Sequence, residues 1–255
     1  MFEKAANVEG KRVLITGGAS GIGAATAKIL TARGARVVIS DLNTKDGEKL
    51  AQELSAAGAE IYFSKVDVAD KSSVETLFAF AMEKLGGLDV VLNNAGVDHT
   101  PAPMHLLTDE DFDRNININL KGVWHCMRAS IACMGQSGGH VINVASVAGL
   151  RSAPTITAYS AAKHGVIGLT RSAAVEYAKV NLRFNAVCPS FTDTPMVQGV
   201  LANVDERKRK AIINASPMRR LGKVEEIALA IAWMASDESS FLNGHAMTLD
   251  GGMLA

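Results

Sequence analysis

The run Arg12-Val13-Leu14-Ile15-Thr16 leads without a break into Gly17-Gly18-Ala19-Ser20-Gly21-Ile22-Gly23. The first five residues read as a short buried strand, and the segment from the glycines through Ala32 reads as a helix. Glycine tolerates positive φ and lets a ligand approach the backbone closely. A helix that opens on such a loop offers free N–H groups and the positive end of its dipole, a setting suited to a pyrophosphate. Strand before and helix after is the context that separates a phosphate loop from an ordinary glycine turn.

Outward from this loop, apolar runs alternate with amphipathic segments. Arg36–Ser40, Glu60–Val66 and Leu88–Leu92 read as strands two to four. Between them lie a helix over Thr44–Ala57, with Leu50 and Leu54 on one face, and another around Val74, Leu77, Phe78, Ala81 and Leu85. A long helix follows, capped by Thr108 with Asp111 three residues on. Its apolar face is expected to carry Phe112, Ile116, Val123, Met127 and Ile131. His140–Val144 and Phe184–Val187 read as strands five and six around a helix at Ala158–Ala178. Glu225–Met234 is a last helix and Ala246–Leu249 a last strand. Strands alternating with helices build parallel βαβ units. The expected fold is therefore α/β: a Rossmann-type doubly wound parallel sheet of about seven strands, helices on both faces, one domain over residues 1–255. Pro195–Ser216, with its charge run Asp205–Lys210, fits either a surface helix pair or a segment covering the substrate.

The 255 residues carry 26 basic and 26 acidic side chains, and this balance points away from nucleic acid or a membrane surface as partner. Cys126, Cys133 and Cys188 include no Cys-x-x-Cys pair, and the spacing of the first two suggests buried thiols. Neither a disulfide framework nor a metal site is indicated. No run of about 18 apolar residues is present to cross a membrane. Met1–Lys11 lacks the apolar stretch of a signal peptide. The chain reads as soluble and cytoplasmic.

Tyr159-Ser160-Ala161-Ala162-Lys163 places a phenol and an amine at i and i+4, on one helix face. A free phenol titrates near pH ~10. A nearby ammonium favours the phenolate and pulls that value down, which tunes a general acid/base towards working pH. Ser146, at the end of strand five, carries a hydroxyl able to hold a carbonyl or hydroxyl oxygen beside the tyrosine. Asn119, in Asn119-Leu120-Lys121-Gly122, is a residue type that lowers helix propensity, so its place inside a helix asks for a reason.

The Gly17, Gly21, Gly23 spacing resembles the TGxxxGIG loop of the short-chain dehydrogenases/reductases. The resemblance continues across nearly the whole chain, through Asn93-Asn94-Ala95-Gly96, Asn119, Ser146 and the Tyr159/Lys163 pair. It implies a catalytic tetrad of Asn119, Ser146, Tyr159 and Lys163. In that tetrad Tyr159 exchanges a proton with the alcohol and Ser146 orients its oxygen. Lys163 lowers the tyrosine pKa and holds the nicotinamide ribose, and Asn119 holds a water linking the lysine to solvent. It also implies a nicotinamide coenzyme held by Gly17, Ser20, Gly21, Ile22 and Gly23, by Asp67 and Val68 beside the adenine, and by Asn94, Ala95 and Gly96. Pro189, Phe191, Thr192 and Thr194 complete the set after strand six, with Ser190 where the family usually has glycine.

Asp41 ends strand two. A carboxylate there bonds the adenosine ribose hydroxyls and repels a 2′-phosphate. Ser20 and Leu42 stand where NADP-using relatives carry Arg or Lys, so NAD is the expected coenzyme. The expected substrate is a small secondary alcohol or its ketone, touching Ser146, Ala148, Tyr159, Phe191 and Met196. His99 reads as a loop residue without a chemical role. Two other functions stay open: a β-ketoacyl thioester reductase, and a non-catalytic NAD(H)-binding module on the same fold. Asp41 and the neutral charge weigh against the first, and the retained tyrosine and lysine against the second. The resemblance further implies a homotetramer with the helices of Asn119 and Tyr159 between subunits.

Overall fold

The computed structural model describes residues 6–135 and 137–255. The N-terminal stretch read above falls partly on residues 1–5, outside that range. Seven parallel strands form one sheet: β1 (Arg12–Thr16), β2 (Arg36–Asp41), β3 (Ile61–Lys65), β4 (Val90–Asn93), β5 (Gly139–Val144), β6 (Leu182–Pro189) and β7 (Ala246–Leu249). Their spatial order is β3-β2-β1-β4-β5-β6-β7. The order reverses between β1 and β4, where a crevice opens beyond the carboxyl ends of the strands.

Alternation along the strands divides the core into two layers. Val13, Ile15, Val37, Ile39, Val90, Leu92 and Ile142 face one side of the sheet. There they meet α1 (Gly21–Ala32), α2 (Thr44–Ala56) and α9 (Val224–Ala235) through Leu30, Leu50 and Ile231. Leu14, Val38, Val91, Val141 and Phe184 face the other side. Their partners come from α3 (Lys71–Leu85), α5 (Gly122–Met134) and α6 (Thr157–Glu176), including Leu77, Phe78, Met127 and Val166. Each such side chain fully buried contributes about 1.5–3 kcal/mol. A buried polar joint crosses the second interface: Asn93 Nδ2 donates to Asn143 Oδ1 at 2.8 Å, and Asn143 Nδ2 donates to Thr170 Oγ1 at 2.9 Å. It fixes α6, the helix of Tyr159 and Lys163, against β4 and β5.

Three expectations need correction. The long helix is not continuous: α4 (Asp109–Ile116) passes through a widened π-turn at Asn117–Lys121 before α5. Thr108 does cap it, accepting from Asp111 N at 3.1 Å. Phe112 is exposed rather than part of the apolar face, because α4 turns that side to solvent. Of the two helical cysteines only Cys126 is buried, while Cys133 is half-buried at the helix edge. The Pro195–Ser216 stretch folds as two short helices, α7 (Pro195–Ala202) and α8 (Glu206–Ile213).

Candidate active site

The crevice is an open cleft at the carboxyl ends of the central strands. One end is built from the glycine loop, with Gly17, Ser20, Gly21 and Ile22 lining it. Gly17 has φ 64° and Gly21 φ 52°, left-handed values that an L side chain rarely adopts. A Cβ on Gly17 would stand 2.8 Å from the Ala95 Cα, so the loop packs directly on the segment after β4. Gly23 does not line the cleft. It lies behind the loop, where a Cβ would run into the Gly17 carbonyl oxygen. Ser20 begins α1 with no side-chain cap, and the first turn holds no acidic residue. The first N–H groups of α1 are thus left for an anion.

Asp41 and Leu42 line the same end of the cleft. The Asp41 carboxylate is oriented by two backbone donors, Ala19 N at 3.1 Å and Asn43 N at 3.0 Å. Leu42 is exposed, and no cation stands at that position. Asp67 and Val68 form the neighbouring wall. Val68 packs so closely on the helix after the π-turn that a Cβ on Gly122 would lie 2.8 Å from its methyl carbon. This explains the glycine three residues beyond Asn119. The cradle fits a dinucleotide: glycines where side chains would collide, uncapped helix N–H groups, and an acid placed for a ribose.

At the other end Ser146, Tyr159 and Lys163 converge on the cleft from β5 and α6. The Lys163 ammonium lies 5.6 Å from the centre of the Tyr159 ring. Lys163 is 3% exposed and donates to the Val144 carbonyl at 2.7 Å, its one hydrogen-bond partner among the described residues. Its two remaining N–H groups suit ribose hydroxyls. Ser146 Oγ accepts from Ala148 N at 3.1 Å. Ala148 itself is buried and does not line the cleft. Burial pushes the Tyr159 phenol up to about 12, helped by the Asp98 charge and opposed by the hydrogen bond with Ser146. Burial also brings Lys163 down to about 8. The expectation that Lys163 lowers the phenol therefore does not describe the protein alone. Both groups sit deep enough for desolvation to favour their neutral forms.

The segment after β4 bridges the two ends. Asn94 Nδ2 donates to the Gly17 carbonyl at 2.8 Å and the Thr16 carbonyl at 3.1 Å, tying this segment to the glycine loop. Asn94, Ala95, Gly96 and Val97 all line the cleft. The Asn119 side chain is engaged with protein. Its Oδ1 accepts from Val97 N at 2.8 Å, and its Nδ2 donates to the Val97 carbonyl at 2.8 Å and to Asn115 Oδ1 at 2.9 Å.

A model of the family described as enoyl-(acyl carrier protein) reductase matches residues 17–254. Levodione reductase of Leifsonia aquatica is 39% identical over 250 residues, covering 95% of this chain and 94% of that protein. The chain belongs to the short-chain dehydrogenase/reductase family. A second relative, cis-4-hydroxycyclohexanecarboxylate dehydrogenase of Sinomonas cyclohexanicum, is 42% identical over 243 residues, 95% of this chain and 96% of that one. A third, the 3-oxoacyl-(acyl-carrier-protein) reductase FabG of Thermotoga maritima, is 37% identical, covering 97% and 99%. The crystal structure of levodione reductase superposes with a TM-score of 0.92 at 36% identity, over 95% of this chain and 97% of its own.

In this short-chain dehydrogenase/reductase the wall after β6 is the least regular. Pro189, Ser190, Thr192 and Thr194 line the cleft, whereas Phe191 does not. Ser190 keeps a negative φ and donates its N–H to the Leu249 carbonyl at 3.1 Å, so its side chain strains nothing. Thr194 caps α7, accepting from Val197 N at 3.3 Å, and its methyl lies 3.4 Å from where a Gly21 Cβ would be. Pro195, Met196 and Val197, the first turn of α7, border the opening. Two neighbouring residues carry more than the sequence reading gave them. Asp98 is half-buried, its carboxyl raised by burial, and its charge acts on both Tyr159 and Lys163. His99 is buried, with Nδ1 2.9 Å from the Thr100 carbonyl and Nε2 without a hydrogen-bond partner among the described residues. Position after the strand-four glycine was the only signal for either.

Proposed function

We propose that this chain is an NAD-dependent oxidoreductase that transfers a hydride between a secondary alcohol, or its ketone, and the nicotinamide, without a metal. The observation that carries the reading is the meeting of Tyr159, Ser146 and the buried Lys163 in the same cleft whose far end holds the glycine loop and Asp41. The pyrophosphate would rest on Gly17, Ser20, Gly21 and Ile22 at the start of α1, and the adenosine ribose on Asp41. Asp67 and Val68 would flank the adenine. Ala95, Gly96, Lys163 and Thr194 would hold the nicotinamide end. When bound, the coenzyme takes up or releases the hydride, and in its oxidised form adds a positive charge that favours the phenolate.

The chain's own residues manage the oxygen and its proton. Ser146 donates to or accepts from the substrate oxygen and keeps it beside the phenol. Tyr159 takes the hydroxyl proton in oxidation and returns one in reduction. Lys163 holds the ribose through its two free N–H groups. With the phenol held near 12, it is protonated at neutral pH and gains proton-accepting power as pH rises. Oxidation should accelerate, and reduction slow, between pH 7 and 10.

Residues 195–216 are proposed to cover the substrate, with Met196 at its side. A hydroxycyclohexane appears in one relative's name, so alicyclic secondary alcohols belong in the first panel. The similarity to the Thermotoga maritima enzyme keeps a β-ketoacyl thioester reductase as the second reading. Steady-state absorbance of reduced nicotinamide decides between them, with NAD and NADP against secondary alcohols, ketones and a 3-oxoacyl thioester. Turnover of alcohols with NAD at least about ten times better than with NADP is expected. Thioester reduction with NADP alone would favour the second reading, and tight NADH binding without any turnover would favour a binding module. The reading also includes a cytoplasmic homotetramer with the Asn119 and Tyr159 helices between subunits, which light scattering checks. Nucleic acid and membrane have no part in it.

A further inference from the structure

Helix α4 buries a single residue completely, and that residue is polar: Asn115, at 0% exposure. The other side chains of α4 are exposed or half-buried. An apolar residue is the ordinary occupant of a helix's one core-facing position, and burying an amide without partners costs about 1–3 kcal/mol. Asn115 is not without partners. Its Nδ2 donates to the Asp111 carbonyl at 3.1 Å, and its Oδ1 accepts from Asn119 Nδ2 at 2.9 Å. The Asn119 amide is thereby saturated as a donor: one hydrogen goes to Asn115 and the other to the Val97 carbonyl. Its oxygen meanwhile receives Val97 N–H. Val97 and Gly96 border the cleft, and a Cβ on Gly96 would lie 3.7 Å from the Lys163 ammonium.

The geometry points to Asn115 as a positioning residue that acts through Asn119 to hold the Gly96–Val97 wall against the Lys163 end of the cleft. The path is continuous. Thr108 fixes the start of α4, and the Asp111 carbonyl orients Asn115. Asn115 closes the last free donor of Asn119, and Asn119 clamps both backbone groups of Val97. Asn119 itself lies within the π-turn at Asn117–Lys121, and such turns are frequent at functional sites. Asn115 touches neither the cleft nor the reacting atoms.

The turnover arm of the test rests on the function proposed above, and the exchange arm does not. Hydrogen–deuterium exchange of a peptide spanning residues 94–100 is followed in the wild type, Asn115→Leu, Asn119→Ala and the double variant. Asn115→Leu keeps the volume and removes the acceptor. Its exchange at Val97 should rise at least about tenfold while the peptides of β1 and β5 stay unchanged. The double variant should match Asn119→Ala within about twofold in exchange and in kcat, since both lesions break one clamp. Asn115→Asp, which keeps an acceptor oxygen, should restore most of the protection. Should Asn115→Leu fail to fold by circular dichroism, Asn115→Ser, too short to reach Asn119, is measured instead with the same expectation. Wild-type exchange in the variant, or effects of the two substitutions that multiply, would overturn the assignment. A wild type that shows the exchange pattern but turns over no substrate would overturn only the proposed function.

Discussion

At the β1–β4 end of the cleft, backbone meets backbone. Gly17 lies against Ala95, Gly23 against the Gly17 carbonyl, and Asn94 stitches the two loops with a pair of hydrogen bonds. At the β6 end the wall is the Thr194 cap and the first turn of α7, with α8 beyond it. Leu201 is the one buried residue of α7, and α8 has none. The first end leaves no room for variation, because a single methyl would collide with main chain. The second tolerates change, because little there is packed. Close packing of this kind transmits small errors, whereas weakly packed surface elements absorb them. Under the proposed function, this division would give a rigid cradle to the coenzyme and an adaptable margin to the substrate.

The sharpest way to break the comparison is Gly23→Val. Its side chain meets the Gly17 carbonyl, with Asn94 Nδ2 2.6 Å from the new Cβ. NADH affinity, read by fluorescence titration, should fall at least about 100-fold (~2.7 kcal/mol). A loss below threefold would show that the cradle is not rigid. Next in size is Asp41→Ala, which removes the acid at the β2 end of the cradle. The NAD/NADP ratio of kcat/KM should drop about tenfold, and an unchanged ratio would take coenzyme choice away from Asp41. The smallest effect is expected at Gly199 in α7, where a Cβ would meet nothing within 4 Å. Gly199→Ala should leave kcat within about twofold and raise helix stability by up to ~1 kcal/mol. A large loss of activity would mean that α7 is as tightly specified as the cradle.

The same contrast runs through what could be read from sequence. The sheet was legible because Val13, Ile15 and Leu14 belong to a strand buried on both faces, and glycine punctuates its end. Asp41 and Ser146 stand at the ends of such strands and Tyr159 and Lys163 at helical spacing, while the resemblance to the family was what singled them out as a set. Strand ends differ slightly: β6 runs Leu182–Pro189 rather than Phe184–Val187, because its flanks pair with β5 and β7. What periodicity could not supply was side-chain partnership. Phe112 looked like a core residue because it fits an apolar spacing, yet α4 turns it outward. Asn115 and Asn117 are the same residue type two positions apart, and only three-dimensional packing buries Asn115 and leaves Asn117 exposed. The π-turn has no sequence period of its own. Spacing puts the phenol and the amine on one helix face, but the direction in which burial moves them depends on depth, which spacing does not encode.

Tyr159→Phe deletes one hydroxyl at the cleft and leaves the ring and Lys163 in place. NADH titration and alcohol oxidation with NAD are measured on the same preparation. The expected result is an affinity for NADH within about threefold of wild type and a kcat lower by at least about 100-fold. A variant that binds NADH and still oxidises the alcohol at a near-normal rate would contradict the assignment of the phenol as the proton-transferring group.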